Sequence, residues 1–315
     1  MMDSSNNPIL VTGVPGQVGG VGSAIVEALR SRGLPVRALV LHEDERTDAL
    51  RSKGVEIIAG DLIRGRDVAA ALRGCRRMYF GMGVSPAYLE ATATVAAAAR
   101  EYGGLEVLAN ISQMTVSQMS LTETTDSPQH RLHWLCEQVL NWSGLPVVHV
   151  RPTVFLQHPF FFDLAAESIA EDATIRLPFG TGRTSPIDAR DVAEAIAAIL
   201  VNPGPHINKI YELTGLRSQD MHGVAAEYSG ALGRAIRYVN VPFDQWRDQD
   251  LRRLNLPKHV FDHFLTMARL HAANRYDRQT QDFETITGRS ARSIREFVAE
   301  HKVFFEKARP EARSR

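Results

Sequence analysis

A glycine-rich segment near the amino terminus constrains the fold of this chain more than any other feature. The apolar residues Ile9–Val11 lead into the sequence TGVPGQVGGVG, which spans residues 12–22, and a strongly helical sequence begins at Ser23. Glycines at a junction between a strand and a helix let the backbone turn sharply and approach a pyrophosphate, whose charge is met by the amides of the following helix. This context predicts a turn that binds a dinucleotide, and the alternative is a glycine-rich connection without a ligand.

Two registers of the glycines are open. Gly13, Gly16 and Gly19 cradle the phosphates in one register, and Gly16, Gly19 and Gly22 do so in the other. We prefer the first register, because Thr12 and Gly13 stand where the strand must end. The predicted cofactor contacts in this turn are Gly13, Gly16, Gln17, Val18 and Gly19.

Short β-branched runs alternate with longer alanine- and leucine-rich stretches in the first half of the chain, which indicates parallel strands joined by crossover helices. The predicted strands are residues 9–12, 36–41, 55–58, 78–80, 107–111, 147–150 and 209–214. The predicted helices are residues 23–32, 67–72, 88–102, 129–142 and 189–200. The predicted fold class is therefore α/β, a doubly wound parallel Rossmann sheet with a smaller, mostly helical C-terminal domain.

The strand predicted at residues 209–214 extends the same sheet, so the sheet-forming domain is discontinuous in sequence. We place it at residues 7–155 together with 187–215, and the smaller domain at residues 156–186 together with 216–307. The termini, residues 1–6 and 308–315, are expected to be disordered because they are polar and contain no periodic apolar pattern.

Composition excludes several other classes of protein. The 36 lysines and arginines balance the 36 aspartates and glutamates, so the basic field that attracts nucleic acid or an anionic membrane is missing. No long apolar run and no export signal are visible, and the two cysteines lack a metal or redox spacing. We therefore expect a cytoplasmic protein with neither a nucleic-acid partner nor a membrane partner.

Several motifs together resemble those of a known family. They are the TGxxGxxG turn, the GDL sequence at residues 60–62, the LP and VRP sequences within 145–152, IDARDVA at 187–193, YELTG at 211–215 and TGR at 287–289. This set resembles the NmrA-like branch of the atypical short-chain dehydrogenases over nearly the whole chain. The resemblance implies a Rossmann fold, NAD(P) binding and a small C-terminal domain that closes over a cleft.

The choice between NAD and NADP is made at the end of the second strand, where an acid binds a ribose hydroxyl or an arginine binds a 2′-phosphate. The candidate contacts there are Leu41, His42 and Arg46, while three acidic residues at 43–45 would repel a phosphate. We therefore expect weak discrimination between NADP and NAD, with a solvated charged helix start as the alternative interpretation of 42–46. The resemblance places Asp61 and Leu62 at the adenine, and Gly81 and Met82 complete the predicted cofactor contacts.

The catalytic residues of ordinary short-chain dehydrogenases are only partly present. Ser112 matches their serine, whereas Gln129 stands at the tyrosine position and His133 at the lysine position. His130 and His133 lie three residues apart on one helix face, and an imidazole can replace the phenol as proton donor. The candidate catalytic residues are therefore Ser112, His130 and His133, unless the histidines are ordinary polar residues beside the cleft. A metal site made of His130, His133 and Glu137 lacks further ligands, so no metal is expected.

By the resemblance, the segment after the sixth strand lines the cleft, which makes Phe155, Gln157 and His158 candidates for substrate contact. The leading hypothesis is an NAD(P)H-dependent oxidoreductase that acts on a small apolar carbonyl, quinone or imine. The alternative is a non-catalytic redox sensor that binds the dinucleotide and acts through a protein partner, which the loss of the tyrosine and lysine favours.

Overall fold

A computed structural model describes residues 7–14, 20–83 and 85–306. Its strands are β1 (Ile9–Val11), β2 (Val36–Val40), β3 (Glu56–Ala59), β4 (Arg77–Phe80), β5 (Val107–Ile111), β6 (Val147–Pro152), β7 (Thr174–Leu177), β8 (Arg183–Thr184), β9 (Ile210–Leu213), β10 (Gln219–Asp220) and β11 (Arg237–Asn240). The first seven helices are α1 (Val21–Arg30), α2 (Glu45–Ser52), α3 (Gly65–Leu72), α4 (Tyr88–Tyr102), α5 (Pro128–Trp142), α6 (Asp163–Asp172) and α7 (Ala189–Val201). The remaining helices are α8 (Met221–Leu232), α9 (Phe243–Gln249), α10 (Lys258–Ala272), α11 (Asp282–Thr287), α12 (Ile294–Glu300) and α13 (Lys302–Glu306).

Seven strands form one parallel sheet in the order β3-β2-β1-β4-β5-β6-β9. The order reverses between β1 and β4, so the chain winds outward from the centre in both directions. This topology confirms the predicted doubly wound α/β fold. It also confirms that the strand near residue 210 pairs with β6, although some sixty residues separate the two in sequence.

Helices cover both faces of this sheet, as the apolar strands require. Helices α1 and α7 pack on one face with the alternating side chains of β1, β2, β5 and β6, and α3, α4 and α5 pack on the other. Both cysteines are buried and free. The boundaries of the five predicted helices agree with α1, α3, α4, α5 and α7 to within two residues, whereas α2, α6 and α8 to α13 had no predicted bounds.

A third apolar cluster consists almost entirely of residues that follow β6. It joins α6, α8, α9, α10, α12 and α13 around the short parallel pair β7 and β11. The sequence analysis missed this pair, and it also missed the pair β8 and β10, whose two-residue strands are too short to show an apolar pattern. Asp191 on α7 accepts hydrogen bonds from Arg289 and Arg292, which ties the end of the chain to the main sheet.

Candidate active site

A cavity of about 620 Å³ follows the carboxyl ends of strands β1 to β6 and crosses the point where the strand order reverses. Open parallel sheets bind their ligands at this edge, because the connecting loops diverge there. Residues from the sheet edge, from α5 and from α10 line it. They include eleven of the predicted site residues: Gly13, Leu41, Asp61, Leu62, Gly81, Met82, Ser112, His130, His133, Phe155 and His158.

Gly13 has a backbone that only glycine adopts easily, with φ at +71°, and it lies against the end of β4. A Cβ atom added to Gly13 would lie 2.5 Å from the carbonyl oxygen of Gly81. Thr12 holds the two segments together, since its hydroxyl donates to the Gly81 carbonyl at 2.8 Å and accepts from the Gly81 amide at 3.0 Å. The TG pair therefore brings β1 and β4 close together beneath the cavity.

The glycine turn ends at Gly20, which has φ at +64°, and α1 begins directly afterwards at Val21 rather than at Ser23. Gly22 lies in the first turn of α1, and a Cβ atom there would be 2.7 Å from the Gly13 carbonyl oxygen. Close packing of helix on strand is the role of the third glycine in a dinucleotide-binding turn. The placement of Gly22 favours the register of Gly16, Gly19 and Gly22, which we preferred less, and the register stays a prediction because Gly16 and Gly19 lie outside the described residues.

Four predicted contacts, Gly16, Gln17, Val18 and Gly19, lie outside the described residues and stay predictions. At the end of the cavity that was predicted to hold the adenosine, Leu39, Leu41 and residues 60–62 line the cavity, but His42 and Arg46 do not. The Arg46 guanidinium instead pairs with Asp44, the amino-terminal cap of α2, at 2.5 Å. Asp44, which was expected to repel a 2′-phosphate, thus pairs with Arg46, which was expected to attract the phosphate.

Helix α5 presents the candidate catalytic histidines to the cavity. Ser127 caps its first turn by accepting a hydrogen bond from the His130 amide, and Pro128 follows as the first helical residue. His130 and His133 then lie on one face and both line the cavity, with Gln129 beside them. Ser112 lines it from the end of β5.

Four histidines line the cavity, and each has its Nδ1 atom engaged by another residue. His130 contacts the Thr125 hydroxyl at 2.9 Å, and His133 contacts the Tyr88 hydroxyl at 3.3 Å. The other two contacts are His263 Nδ1 to the Ser127 hydroxyl at 2.8 Å and the Phe160 amide to His158 Nδ1 at 3.2 Å. Because a backbone amide can only donate, the neutral His158 ring carries its proton on Nε2.

These four histidines are neutral at neutral pH. Burial lowers the pKa of His133 to about 4 and the pKa of His263, with help from nearby imidazoles, to about 3. Burial and the neighbouring histidines also hold the pKa values of His130 and His158 well below the ordinary value. A neutral imidazole can donate a hydrogen bond through one ring nitrogen while it accepts one through the other, as a proton relay requires.

Glu137 does not join these histidines as a metal ligand. Its fully buried carboxylate accepts two hydrogen bonds from Arg151 on β6, at 2.9 and 2.5 Å. Burial alone would raise the pKa of Glu137, but the Arg151 hydrogen bonds hold it below its usual value. Within the described ranges, no group of three or more histidine, cysteine, aspartate or glutamate side chains is arranged to hold a metal.

The predicted substrate contacts differ in their placement. Phe155 and His158 line the cavity, whereas Gln157 does not. The Gln157 amide donates to Asp188 at 2.9 Å and accepts from the Ala189 amide at 3.0 Å, so it fastens the start of α7. Its predicted contact with substrate therefore finds no support in this placement.

Sequence reasoning missed three lining residues from the C-terminal part of the chain. His263 and Met267 lie on α10, and Tyr276 follows that helix. His263 packs edge-on against His130, with ring centroids 4.8 Å apart. The sequence HVFDHFLTM is an ordinary amphipathic pattern, and no local signal distinguishes a residue that faces a cavity from one that faces the core.

The lining residues include several buried polar atoms without a partner. Seven such side-chain atoms occur among the described residues, and four belong to Ser112, Gln113, Thr153 and His158, all of which line the cavity. The Ser112 hydroxyl lies near enough to Glu137 to help lower its pKa, but outside hydrogen-bond geometry. Unpaired buried groups are costly, so their concentration here indicates a ligand that completes them. A nicotinamide carboxamide and its ribose hydroxyls have suitable chemistry, and Gly13 and Gly22 line the same cavity.

NADH or NADPH at tenfold its dissociation constant is expected to raise the free energy of unfolding by about 1.4 kcal/mol, through mass action on the native state. Gly13→Ala should abolish this stabilisation, because the added Cβ would collide with the Gly81 carbonyl. Gly33→Ala is a matched control: its φ of +74° imposes the same backbone strain, but its Cβ would meet nothing within 4 Å in the described structure. Thermal melts of both variants measure this difference, and an unchanged shift in Gly13→Ala would contradict the assignment.

No helix in the described part of the chain is long and apolar enough to cross a membrane.

Several known proteins are similar to this chain in sequence or in structure. An NAD(P)H azoreductase from Xenophilus azovorans is 31% identical over 297 residues, which cover 93% of this chain and 98% of the relative. The NADPH-dependent quinone oxidoreductase of Escherichia coli, solved with NADPH, has a TM-score of 0.80 at 19% identity, and the match covers 93% of this chain and 99% of that one. The negative transcriptional regulator NmrA, solved with NADP, has a TM-score of 0.78 at 17% identity, and the match covers 98% of this chain and 99% of that one.

The structural likenesses show the fold, and the sequence matches show the family. The sequence model of the NmrA-like family matches residues 5–303, which agrees with the resemblance carried by the turn, the GDL sequence and the C-terminal motifs. The chain belongs to the NmrA-like family.

Proposed function

We propose that the protein is an NAD(P)H-dependent oxidoreductase that reduces a small apolar acceptor, namely a quinone, a carbonyl or an imine-type double bond. The observation that carries this proposal is one continuous cavity that joins the dinucleotide turn to a compartment of neutral histidines and apolar side chains. The azoreductase relative, matched over nearly its whole length, favours an enzyme over a sensor.

The cofactor, when bound, supplies a hydride from its nicotinamide ring. Residues of this chain do the rest: Gly13, Gly22 and the amino end of α1 would hold the diphosphate, and Asp61 and Leu62 would hold the adenosine. The unpaired polar atoms of Ser112, Gln113 and Thr153 would orient the nicotinamide. Residues from α10 and Tyr276 cover the cavity and limit the access of water.

Reduction of a quinone to the hydroquinone requires one hydride and one proton. NAD(P)H supplies the hydride and becomes NAD(P)⁺. The neutral imidazole of His130 or His133 would relay this proton from solvent: one ring nitrogen donates its proton to the acceptor while the other ring nitrogen takes one up, so that no imidazolate forms. The contact of each Nδ1 atom with a hydroxyl holds these rings in place. Alcohol oxidation needs a base that removes a hydroxyl proton, and the amide of Gln129 cannot serve as one.

A sensor remains the second candidate, because Gln129 and His133 occupy the positions of the usual acid–base pair. In that case the dinucleotide would bind without turnover and a protein partner would read the bound state. We also propose a cytoplasmic location, no nucleic-acid partner, and the division into sheet-forming and C-terminal domains described above. The balanced charge and the separate apolar clusters support these proposals.

NAD(P)H consumption is expected to be at least about tenfold faster with quinones than with simple ketones, because activated acceptors depend less on concerted proton donation. The measurement compares kcat/KM for a naphthoquinone, an azobenzene and cyclohexanone, with both NADH and NADPH. Gly13→Ala, which we expect not to bind the cofactor, serves as the negative control, and Gly33→Ala is its matched control. Tight binding of nucleotide without turnover of any acceptor would instead identify a sensor.

A further inference from the structure

Among the described residues, no side chain that lines the cavity could neutralise an anionic substrate. None of the described residues that line it is a lysine or an arginine. The single acidic side chain is that of Asp61, which lies at the adenosine end beside Gly60 and Leu62. The part of the cavity formed by β4 to β6, α5 and α10, here called the substrate compartment, therefore lacks any formally charged residue.

The titratable groups of the substrate compartment are also uncharged. Its four histidines have their Nδ1 atoms engaged and are kept neutral by burial, as described above. Burial raises the pKa values of Tyr79 and Tyr276 far above their ordinary range, so both hydroxyls stay protonated. Only dipoles and aromatic edges therefore face a bound acceptor.

Three arginines that lie within two residues of a lining residue in sequence are engaged elsewhere. Arg151 forms its two hydrogen bonds with Glu137, and Arg278 pairs with Glu212 at 2.5 Å. Arg275 donates to the side-chain oxygen of Gln118 at 2.6 Å. Turning Arg151 or Arg278 toward a ligand would leave a partly or fully buried carboxylate without its partner, which is itself costly.

We propose that the substrate compartment selects acceptors without negative charge near the reducible group, and excludes those with a sulfonate, carboxylate or phosphate there. This inference rests on the proposed function. A buried anion loses its hydration and finds no counterion here, whereas a quinone oxygen or an azo nitrogen needs only a hydrogen bond from a neutral donor. A charged group on a part of the ligand that reaches the cavity mouth keeps its water and is tolerated.

A matched pair of acceptors tests the proposal: 1,4-naphthoquinone and its 2-sulfonate, which carries the charge on the reducible ring. We expect kcat/KM to be at least about tenfold lower for the sulfonate. Intrinsic reactivity works in the opposite direction, because the electron-withdrawing sulfonate makes the quinone a stronger hydride acceptor. A lower enzymatic rate therefore reports exclusion by the protein, and the uncatalysed reaction with NAD(P)H measures the intrinsic difference.

Gln129→Arg is the variant that should relax the selection. Gln129 lines the cavity and is half-buried, so an arginine there supplies a counterion. The sulfonate-to-naphthoquinone ratio of kcat/KM should rise by about tenfold. Leu121→Arg adds the same charge on a side chain that is 84% exposed and lies outside the cavity, and it should leave the ratio unchanged.

Binding to the protein saturated with 1,4,5,6-tetrahydro-NADP, whose reduced ring is neutral like that of NADPH but transfers no hydride, separates this proposal from the proposed function. Quenching of tryptophan fluorescence would give the affinity of each quinone without turnover. If the uncharged quinone binds more tightly but neither quinone is turned over, the proposed oxidoreductase activity is refuted and the proposed selection by charge is supported. Equal affinity for the two quinones, no affinity for either, or equal rates would overturn the selection.

Discussion

Replacing Arg151 with methionine is expected to lower the free energy of unfolding by about 3–5 kcal/mol. The reason is Glu137, whose side chain is fully buried and accepts both of its ionic hydrogen bonds from Arg151. Without the guanidinium, the carboxylate must either stay charged in an apolar site or take up a proton. Chemical denaturation at neutral pH, with the midpoint and slope compared to the natural chain, measures the loss.

The double variant Arg151→Met, Glu137→Leu is the control for this prediction. Replacing both members of a buried ion pair with apolar side chains of similar size is often neutral. We therefore expect the double variant to recover most of the stability that Arg151→Met loses. If the single substitution costs less than about 1 kcal/mol, Glu137 is not held as a buried carboxylate.

Replacing His133 or His130 with glutamine is expected to lower kcat/KM for naphthoquinone reduction by about 10²-fold, the usual contribution of a general acid. Glutamine keeps a hydrogen-bonding side chain of similar length but cannot release a proton at neutral pH. Because the pKa of His133 is about 4 and that of His130 is well below the ordinary value, the rate should show no inflection from these groups between pH 6 and 8. Steady-state kinetics across this range give both results.

His222→Gln provides a matched control, because His222 lies on α8 and does not line the cavity. Stabilisation by NADPH should be nearly the same in all three variants, which shows that cofactor binding is intact. Unchanged rates in both cavity variants would remove the histidines from the mechanism. A loss of nucleotide stabilisation alongside the rate would instead assign them to cofactor binding.

Local sequence patterns determined the sheet and its dinucleotide turn. The strands β1 to β6 and β9 were predicted because each is a short apolar run followed by turn residues, and periodic helices separate most of them. The Thr12–Gly13 pair predicted where β1 ends. The backbone of Gly13 is left-handed, and glycine favours that conformation independently of its neighbours. Such preferences act between near neighbours, so one sequence suffices to recognise them.

Only the tertiary structure decided which side chains surround the substrate compartment of the cavity. His263 lies 133 residues after His130, yet their rings touch, and Tyr276 closes the same compartment. The structure also engaged Arg46 with Asp44 and Gln157 with α7, although both had been predicted as ligand contacts. Long-range packing and desolvation govern the surroundings of His263 and Gln157, and they depend on residues far away in sequence. Arg46 and Asp44 are close in sequence, and there competition between a ligand and a local hydrogen bond decided the outcome.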